Sequence, residues 1–538
     1  MNLDASEHTP GAPPRPLARS TALMAAGTLL SRVTGLGRVV VLAYVLGATR
    51  LADSYNLANN TPNMIFDLVL GGVLSATLVP VFVERLVTRD DEEASRAVSA
   101  VLTLAGVVLT GASLATAVGA PWIIGLYNAL NHTGAARDEQ AVATVFLALF
   151  APQVAFYGFA ALAEAVLNAR RRFAAPKFAP VLNNLVTIAV LLLARSEVNG
   201  LSLHGARHRT GVLLLLGLGT TSGVATQALV LLPAVRTAGL RIRWLWQPGH
   251  EAVRRVVALS GWTLGFVVAN QIALLVVLVL ANQAAGGVSA YQYAYLFFQL
   301  PYGIVAVSLM SALQPELAER WSQGDRTGFR RQLGEALRLT TAVLVPAAAG
   351  MALLARPLIG VALQHGRLGP EAANTTAVVV AWFAVGLPGF SVFLLLVRAY
   401  QSMQDTRTAF VLYLVENGLN VGLAVLLYPS YGVPGLAAAL AAAYTISAAV
   451  AAADLRRRTG GLEGGRLFAM AARVAGGTLA MAAVVALVVT RVGSAHGGGE
   501  VARVVAGVVA GVTVYAVSAR VLGVNEVIAL LNLRRRAP

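Results

Sequence analysis

Two arginines, Arg32 and Arg38, stand six residues apart inside an otherwise apolar stretch, 21–47. A charged side chain at the centre of a bilayer costs at least about 3 kcal/mol, so each needs a water-filled cavity or a partner. Guanidinium forks bind phosphate oxygens bidentately, which makes a pyrophosphate a natural ligand for the pair. Gly35 and Gly37 lie between them and are expected to loosen the helix there, freeing backbone amides toward the same spot. The plainer alternative is that either arginine snorkels to the surface or pairs with an acid such as Asp67. Asp53 follows this stretch and reads as a helix N-cap for Ser54 onward or as a gate partner of an arginine, the cap being the simpler reading. Asp67, between Pro62 and Gly71-Gly72, is expected to line a cavity on cost alone. Arg32, Arg38, Asp53 and Asp67 therefore form the candidate substrate-binding set.

A second group falls in the other half of the chain. Glu416, Asn417 and Asn420 share one apolar stretch, and Asn270 and Gln271 share another. Hard oxygen donors of this kind suit Na⁺, or Glu416 alone could carry a proton. Hydrogen bonding between helices is the alternative, common for Asn and Gln in membrane bundles. Glu164 is expected to pair at the interface with Arg170, Arg171 and Arg172. No Walker loop, dinucleotide fingerprint or zinc spacing occurs, and the seven histidines are scattered over tails and loops. No cofactor is expected and the chain reads as a transporter rather than an enzyme. Any pumping must then draw on an ion gradient or the membrane potential.

The elements that position these residues are set by composition. Of 538 residues 57% are hydrophobic and 12% charged, about half the charged share of a soluble protein. The absence of cysteine excludes disulfides, thiolate metal sites and cysteine nucleophiles. Fourteen apolar stretches are expected to span the membrane: 21–47, 54–86, 97–118, 141–167, 178–194, 212–235, 256–281, 289–313, 333–355, 375–396, 408–427, 433–453, 467–489 and 501–521. The formal charge of +16 first raises nucleic acid, but sorting it by loop turns it into topology. With the N-terminus inside, thirty of the 41 Lys and Arg fall in inside loops and tails and nine in outside ones, leaving Arg32 and Arg38 within the first span. The reading is an all-α polytopic protein of the cytoplasmic membrane with both termini cytoplasmic and no nucleic-acid partner.

Comparison of the two halves shows an internal repeat. Ser54-Tyr55 leads through Pro62 to Pro80 and Glu84-Arg85, and Tyr291 leads through Pro301 to Pro315 and Glu319-Arg320. Asn168, Arg170, Lys177 and Asn183-Asn184 likewise answer to Arg398, Tyr400, Arg407 and Asn417. Repeated six-helix lobes are a common transporter plan. The expected division is a disordered tail at 1–20, an N-lobe at 21–236, a basic interfacial connector at 237–255, a C-lobe at 256–454, and two further helices with a basic tail at 455–538. In the connector, Arg241 and Arg243 alternate with Trp244 and Trp246, which suits headgroup depth beside anionic lipid or an ordinary basic loop.

The first two spans resemble the MurJ/MviN family, lipid II flippases of the multidrug/oligosaccharidyl-lipid/polysaccharide exporter superfamily. The resemblance is carried by Ser31-Arg32-Val33-Thr34-Gly35, Arg38, Gly47-Ala48, Ala52-Asp53, Pro62-Asn63 and Val79-Pro80-Val81-Phe82. It resumes at Pro176, Asn183-Asn184, Tyr291, Pro301-Tyr302-Gly303, Pro315-Glu316-Leu317 and Gln404-Asp405-Thr406-Arg407, covering roughly residues 20–525. It implies 14 spans in two lobes, the last two helices lining a groove for a lipid tail, and alternating-access transfer of undecaprenyl-pyrophosphate-linked disaccharide-pentapeptide (lipid II) to the outer leaflet. The family's cavity arginines fall on Arg32 and Arg38 and its acid on Asp53, and cell-wall synthesis enzymes become the implied partners. Well-studied members carry further charges where this chain has Phe66, Asp67 and Gly71, and again at Tyr295, Leu296 and Gln299. The pattern resembles the actinobacterial branch. A flippase for another polyprenyl-linked oligosaccharide, a cation-coupled small-molecule antiporter and a non-transporting scaffold remain alternatives.

Overall fold

The computed structural model describes residues 15–71, 91–170, 172–237, 243–251, 253–254, 261–493 and 498–528. Residues 1–14 of the tail, the second half of the second stretch with Pro80, Glu84 and Arg85, Arg241 of the connector, the start of the seventh stretch and the basic end with Arg534, Arg535 and Arg536 lie outside the described residues. Among those described there is no strand.

The principal helices are α1 (Arg15–Leu46), α2 (Arg50–Phe66), α3 (Asp91–Tyr127), α4 (Ala136–Phe150), α5 (Pro152–Ala169), α6 (Ala174–Val198) and α7 (Thr210–Leu229). They continue with α8 (Gly261–Ala281), α9 (Gly287–Ser322), α10 (Arg326–Leu353), α11 (Pro370–Ser402), α12 (Thr406–Thr459), α13 (Gly464–Arg491) and α14 (Gly498–Val521). Two expectations are corrected at once. Residues 15–20, assigned to a disordered tail, already belong to α1. The first span is also not loosened at Gly35 and Gly37, since α1 is one uninterrupted helix. Both glycines face α6, where their missing side chains leave room for Asn184 and Ile188.

Twelve helices among the described residues are long and apolar enough to cross a membrane. The fourteen expected stretches map onto them with two differences. At 54 residues α12 would run about 81 Å as one helix, against a hydrocarbon core of about 30 Å. It breaks at Gly432 (φ 58°, ψ −143°) and so contains two of the expected stretches. The second stretch starts as α2, passes through a π-helical turn at Asp67–Gly71 and leaves the described residues.

Helices α1 to α7 pack mainly on one another, as do α8 to α12, and α13 with α14 leans on α10. Small residues permit the closest crossings, as expected where lipid supplies no hydrophobic drive for helix association. Gly217, Gly219 and Gly223 of α7 meet Leu149, Val190 and Asn183, while Gly386 of α11 lies against the backbone of Ala441. In the first group Tyr55, Phe146 and Phe150 fill the interior, and in the second Phe298, Phe383 and Phe390 do. The last helix pair is fastened by Arg338, which reaches Glu463 at 2.7 Å and Glu526 at 2.9 Å, and by the Tyr515 hydroxyl on the Ala342 carbonyl.

The loops that charge sorting puts on one side also come together in space. Arg50 reaches the 282–283 turn, Arg367 reaches the 198–201 turn, Arg207 pairs with Asp138 and Arg356 with Glu500. Below, this end is the seam and the opposite end the mouth.

Candidate substrate cavity and the seam that closes it

A cavity of about 760 Å³ lies between the two helix groups, walled by α1, α2, α5 and α6 on one side and by α8 and α9 on the other. Arg32 and Arg38 both line it. Six residues turn a helix through about 600°, so the two side chains leave α1 about 120° apart and 9 Å apart along the axis, enough to grip a ligand at two heights. Neither guanidinium has a hydrogen bond or ion pair with any described residue, and Arg32 is exposed while Arg38 is partly buried. Neither arginine pairs with Asp67.

The remaining lining is polar but nearly neutral. Asn59, Asn60 and Asn63 of α2 face Gln292 and Gln299 of α9, and the buried Asn59 Oδ1 and Gln292 Nε2 have no hydrogen-bond partner among the described residues. Toward the mouth Lys177 Nζ sits 3.1 Å from Glu164 Oε1. Glu164, expected to pair with Arg170, Arg171 and Arg172, is thus joined by Lys177, while Arg171 lies outside the described residues. Tyr295, Leu296 and Gln299, which the family resemblance contrasts with charged residues, do line the cavity. Phe66 instead packs on Tyr157 at 6.2 Å.

Asp53 is not in this cavity. It is fully buried at the seam, where its carboxylate accepts from Gly286 N–H at 2.6 Å, Ser289 N–H at 2.9 Å and Ser289 Oγ–H at 2.8 Å. It does not cap its own helix either. Thr49 does that, accepting from Ala52 N–H. The first N–H groups of any helix lack internal partners, and Asp53 supplies them for α9, a helix of the other group.

The rest of the seam repeats this exchange of caps. The Arg50 guanidinium donates to the Asn282 and Gln283 carbonyls at 2.7 and 3.1 Å, just past the end of α8, and holds Glu139 at 3.2 Å. In the reverse direction Arg367 donates to the Val198 and Leu201 carbonyls at the end of α6. The Tyr293 hydroxyl donates to the Gly47 carbonyl just past α1. The backbones come so close that only glycine fits: Gly286 has φ 76° and a Cβ there would collide with the Ala48 carbonyl, and Gly366, φ 63°, meets Tyr44 in the same way.

Asp67 accepts from Gln271 Nε2 at 3.1 Å, joining the π-helical turn to α8. Gln271 does not line the small cavity that the rest of the second candidate group surrounds, although its buried Oε1 has no hydrogen-bond partner among the described residues. The other four members, Asn270, Glu416, Asn417 and Asn420, do meet, around a cavity of about 170 Å³ beside Tyr291 and Tyr444. Asn417 donates back to the Tyr413 carbonyl, whereas the buried Glu416 Oε2 and Asn420 Oδ1 have no hydrogen-bond partner among the described residues. Two unpartnered oxygens, one from a carboxyl, are a donor set that fits Na⁺ or a proton. Asn60 and Gln292 line both cavities, so the small one adjoins the large.

Sequence reasoning missed Arg50, Arg367 and Tyr293, the first two because they were counted only as loop charges. The run Asn59-Asn60-Thr61-Pro62-Asn63 was a usable signal, since four polar residues in an apolar stretch carry a desolvation cost that a wet cavity removes.

Residues 42–507 match the family described as lipid II flippase MurJ. The chain is 28% identical over 427 residues to a probable lipid II flippase MurJ of Rhizobium meliloti, covering 79% of this chain and 77% of that one. It is also 28% identical to that of Haemophilus influenzae, covering 78% and 82%. Among solved structures, a lipid II flippase MurJ in an inward closed conformation superposes with TM-score 0.75 at 21% identity, over 93% of this chain and 98% of that one. An inward-facing multidrug resistance MATE family transporter superposes with TM-score 0.66 at 13% identity, over 82% and 98%. The fold is thus that of these membrane transporters, and with 42–507 matched the chain belongs to the lipid II flippase MurJ family.

Proposed function

We propose that the chain carries lipid II from the cytoplasmic to the outer leaflet by alternating access, with Arg32 and Arg38 receiving the pyrophosphate. The observation that carries the recognition step is the pair of guanidinium groups without partners among the described residues in a cavity of about 760 Å³ between two helix groups. Lipid exposes no such site to water, and an unpaired cation inside a membrane protein is retained only where a ligand or solvent meets it. The seam is the outer gate, closed by the exchanged helix caps. Its opening, with closure of the mouth, exposes the cavity to the other side. The N-lobe (21–236) and C-lobe (256–454) are the moving bodies, Asp53 holds the closed gate rather than the substrate, and both termini are cytoplasmic.

The return stroke draws on Na⁺ or H⁺, for which Glu416, Asn420 and Asn270 are the candidate donors, with Asn417 beside them. Enzymes that make and consume peptidoglycan precursors are the partners on either side. Another polyprenyl-pyrophosphate oligosaccharide is the second reading. It is favoured by Leu296 and Gln299, which leave this part of the cavity wall uncharged.

Depletion of the protein followed by analysis of lipid-linked precursors in the inner leaflet tests the proposal. Accumulation of lipid II is the expected result. Accumulation of a different polyprenyl-linked glycan, with lipid II unchanged, contradicts it.

A further inference from the structure

A second cavity, of about 730 Å³, lies on the lipid-facing side of α3 and α5, away from the seam and the substrate cavity. Its walls are apolar: Leu102, Leu109, Phe156, Phe159 and Leu162 among them. Charge is confined to one end, where Arg236 and Arg243 come together beside Trp244. Neither arginine has an ion pair among the described residues, and Trp244 is 75% exposed. The segment carrying Arg243 and Trp244 is held there by its own backbone, Arg243 N–H donating to Ser99 Oγ and Leu245 N–H to Thr103 Oγ1. Both bonds run to α3, so the basic end and the apolar crevice share one helix.

We propose that this crevice binds one anionic glycerophospholipid, its phosphate between Arg236 and Arg243 and an acyl chain along α3. The shape and the charge complement that occupant. An acyl chain needs an apolar slot parallel to the helices, and an anionic headgroup needs unpaired cations at headgroup depth, where tryptophan also settles. A zwitterionic lipid would satisfy the slot alone. Gly106 forms part of the crevice wall, and a Cβ built there meets nothing within 4 Å. The slot is therefore deepened by a missing side chain rather than by a packing fault. The inference needs only that the chain spans a membrane and does not rest on what the substrate cavity carries.

Native mass spectrometry of the full chain, titrated separately with phosphatidylglycerol and phosphatidylcholine, tests this. One phosphatidylglycerol should be retained about thirtyfold more tightly than phosphatidylcholine, the size expected for two arginines near an anionic headgroup. Arg236→Ala with Arg243→Ala should bring the two lipids to within about twofold. Gly106→Leu should fill the slot and weaken both, and it suits a helix better than glycine, so folding is preserved. Arg32→Ala with Arg38→Ala should leave retention unchanged. Equal binding of the two lipids by the parent chain, full binding by Gly106→Leu, or loss of binding in the Arg32/Arg38 variant would each overturn the proposal.

Discussion

At the seam, charged side chains are held by the protein itself: Asp53 accepts three hydrogen bonds and Arg50 donates to two carbonyls and a carboxylate, all but one of these contacts crossing between helix groups. In the cavity, Arg32 and Arg38 have no hydrogen-bond or ion-pair partner among the described residues. The same residue types thus do opposite work according to whether their partners are supplied by the protein or left to a ligand. The seam also shows how a polar closure can be reversible. What it satisfies are helix ends, and those at the protein's surface can turn to water when the lobes part, each exchange netting only about 0.5–1.5 kcal/mol. A seam of interlocked apolar side chains would have to expose its area to water on every cycle.

The largest effect should come from the cavity. Arg32→Ala or Arg38→Ala removes charge-assisted bonds worth about 1.5–3 kcal/mol each, so precursor transfer should fall by tenfold or more with membrane insertion unchanged. Complementation of a depleted strain and protein level in the membrane measure the two. Asp53→Asn should come next. It keeps the volume but turns one acceptor into a donor facing Gly286 and Ser289, costing about 1–3 kcal/mol and moving the population from seam-closed to seam-open by roughly five- to a hundredfold. Solvent accessibility of a reporter at the seam reads that shift, and Gly286→Ala should move it the same way. Glu416→Gln should abolish dependence of transfer on the coupling cation gradient while leaving lipid II binding by purified protein within about twofold, because the small cavity adjoins but does not contain the arginines. Unchanged cation dependence would remove Glu416 from the coupling role.

The smallest effect is expected far from both. Asp325 caps α10, and the Gly328 N–H, with Arg320 beside it, holds its carboxyl below the usual aspartate range. A lowered folded-state pKa adds stability that is present above the unfolded value near 3.9 and fades as pH falls through the folded one. Asp325→Ala should therefore lower the melting temperature slightly at pH 7, with the difference shrinking below about pH 4.

The sequence made the cavity arginines legible because their cost in a membrane has few remedies, and the loop charges because positive residues sort by side. The arrangement of helix ends was not legible. Asp53 reads as the cap of a helix starting at Ser54, and only the fold shows the helix starting at Arg50 with Thr49 as its cap and Asp53 reaching Gly286 and Ser289, more than 200 residues on. Arg50 and Arg367 looked like topology markers for the same reason, since a carbonyl partner leaves no trace in residue type. Gly35 and Gly37 misled in the other direction: glycine in a helix signals loosening or close packing equally, and contact with α6 decided for packing. The kink at Gly432 was anticipated only as a gap between two stretches.

The central claim is that the seam opens in response to a ligand held by Arg32 and Arg38. The chain has no cysteine, so spin labels at Thr133→Cys and Glu371→Cys, exposed sites near the seam on opposite lobes, report its width without background. In lipid nanodiscs, lipid II should shift the distance distribution toward longer values in the parent chain. The same pair in the Arg32→Ala, Arg38→Ala chain should not respond. A distribution that ignores lipid II in the parent, or shifts equally in the variant, would contradict the account.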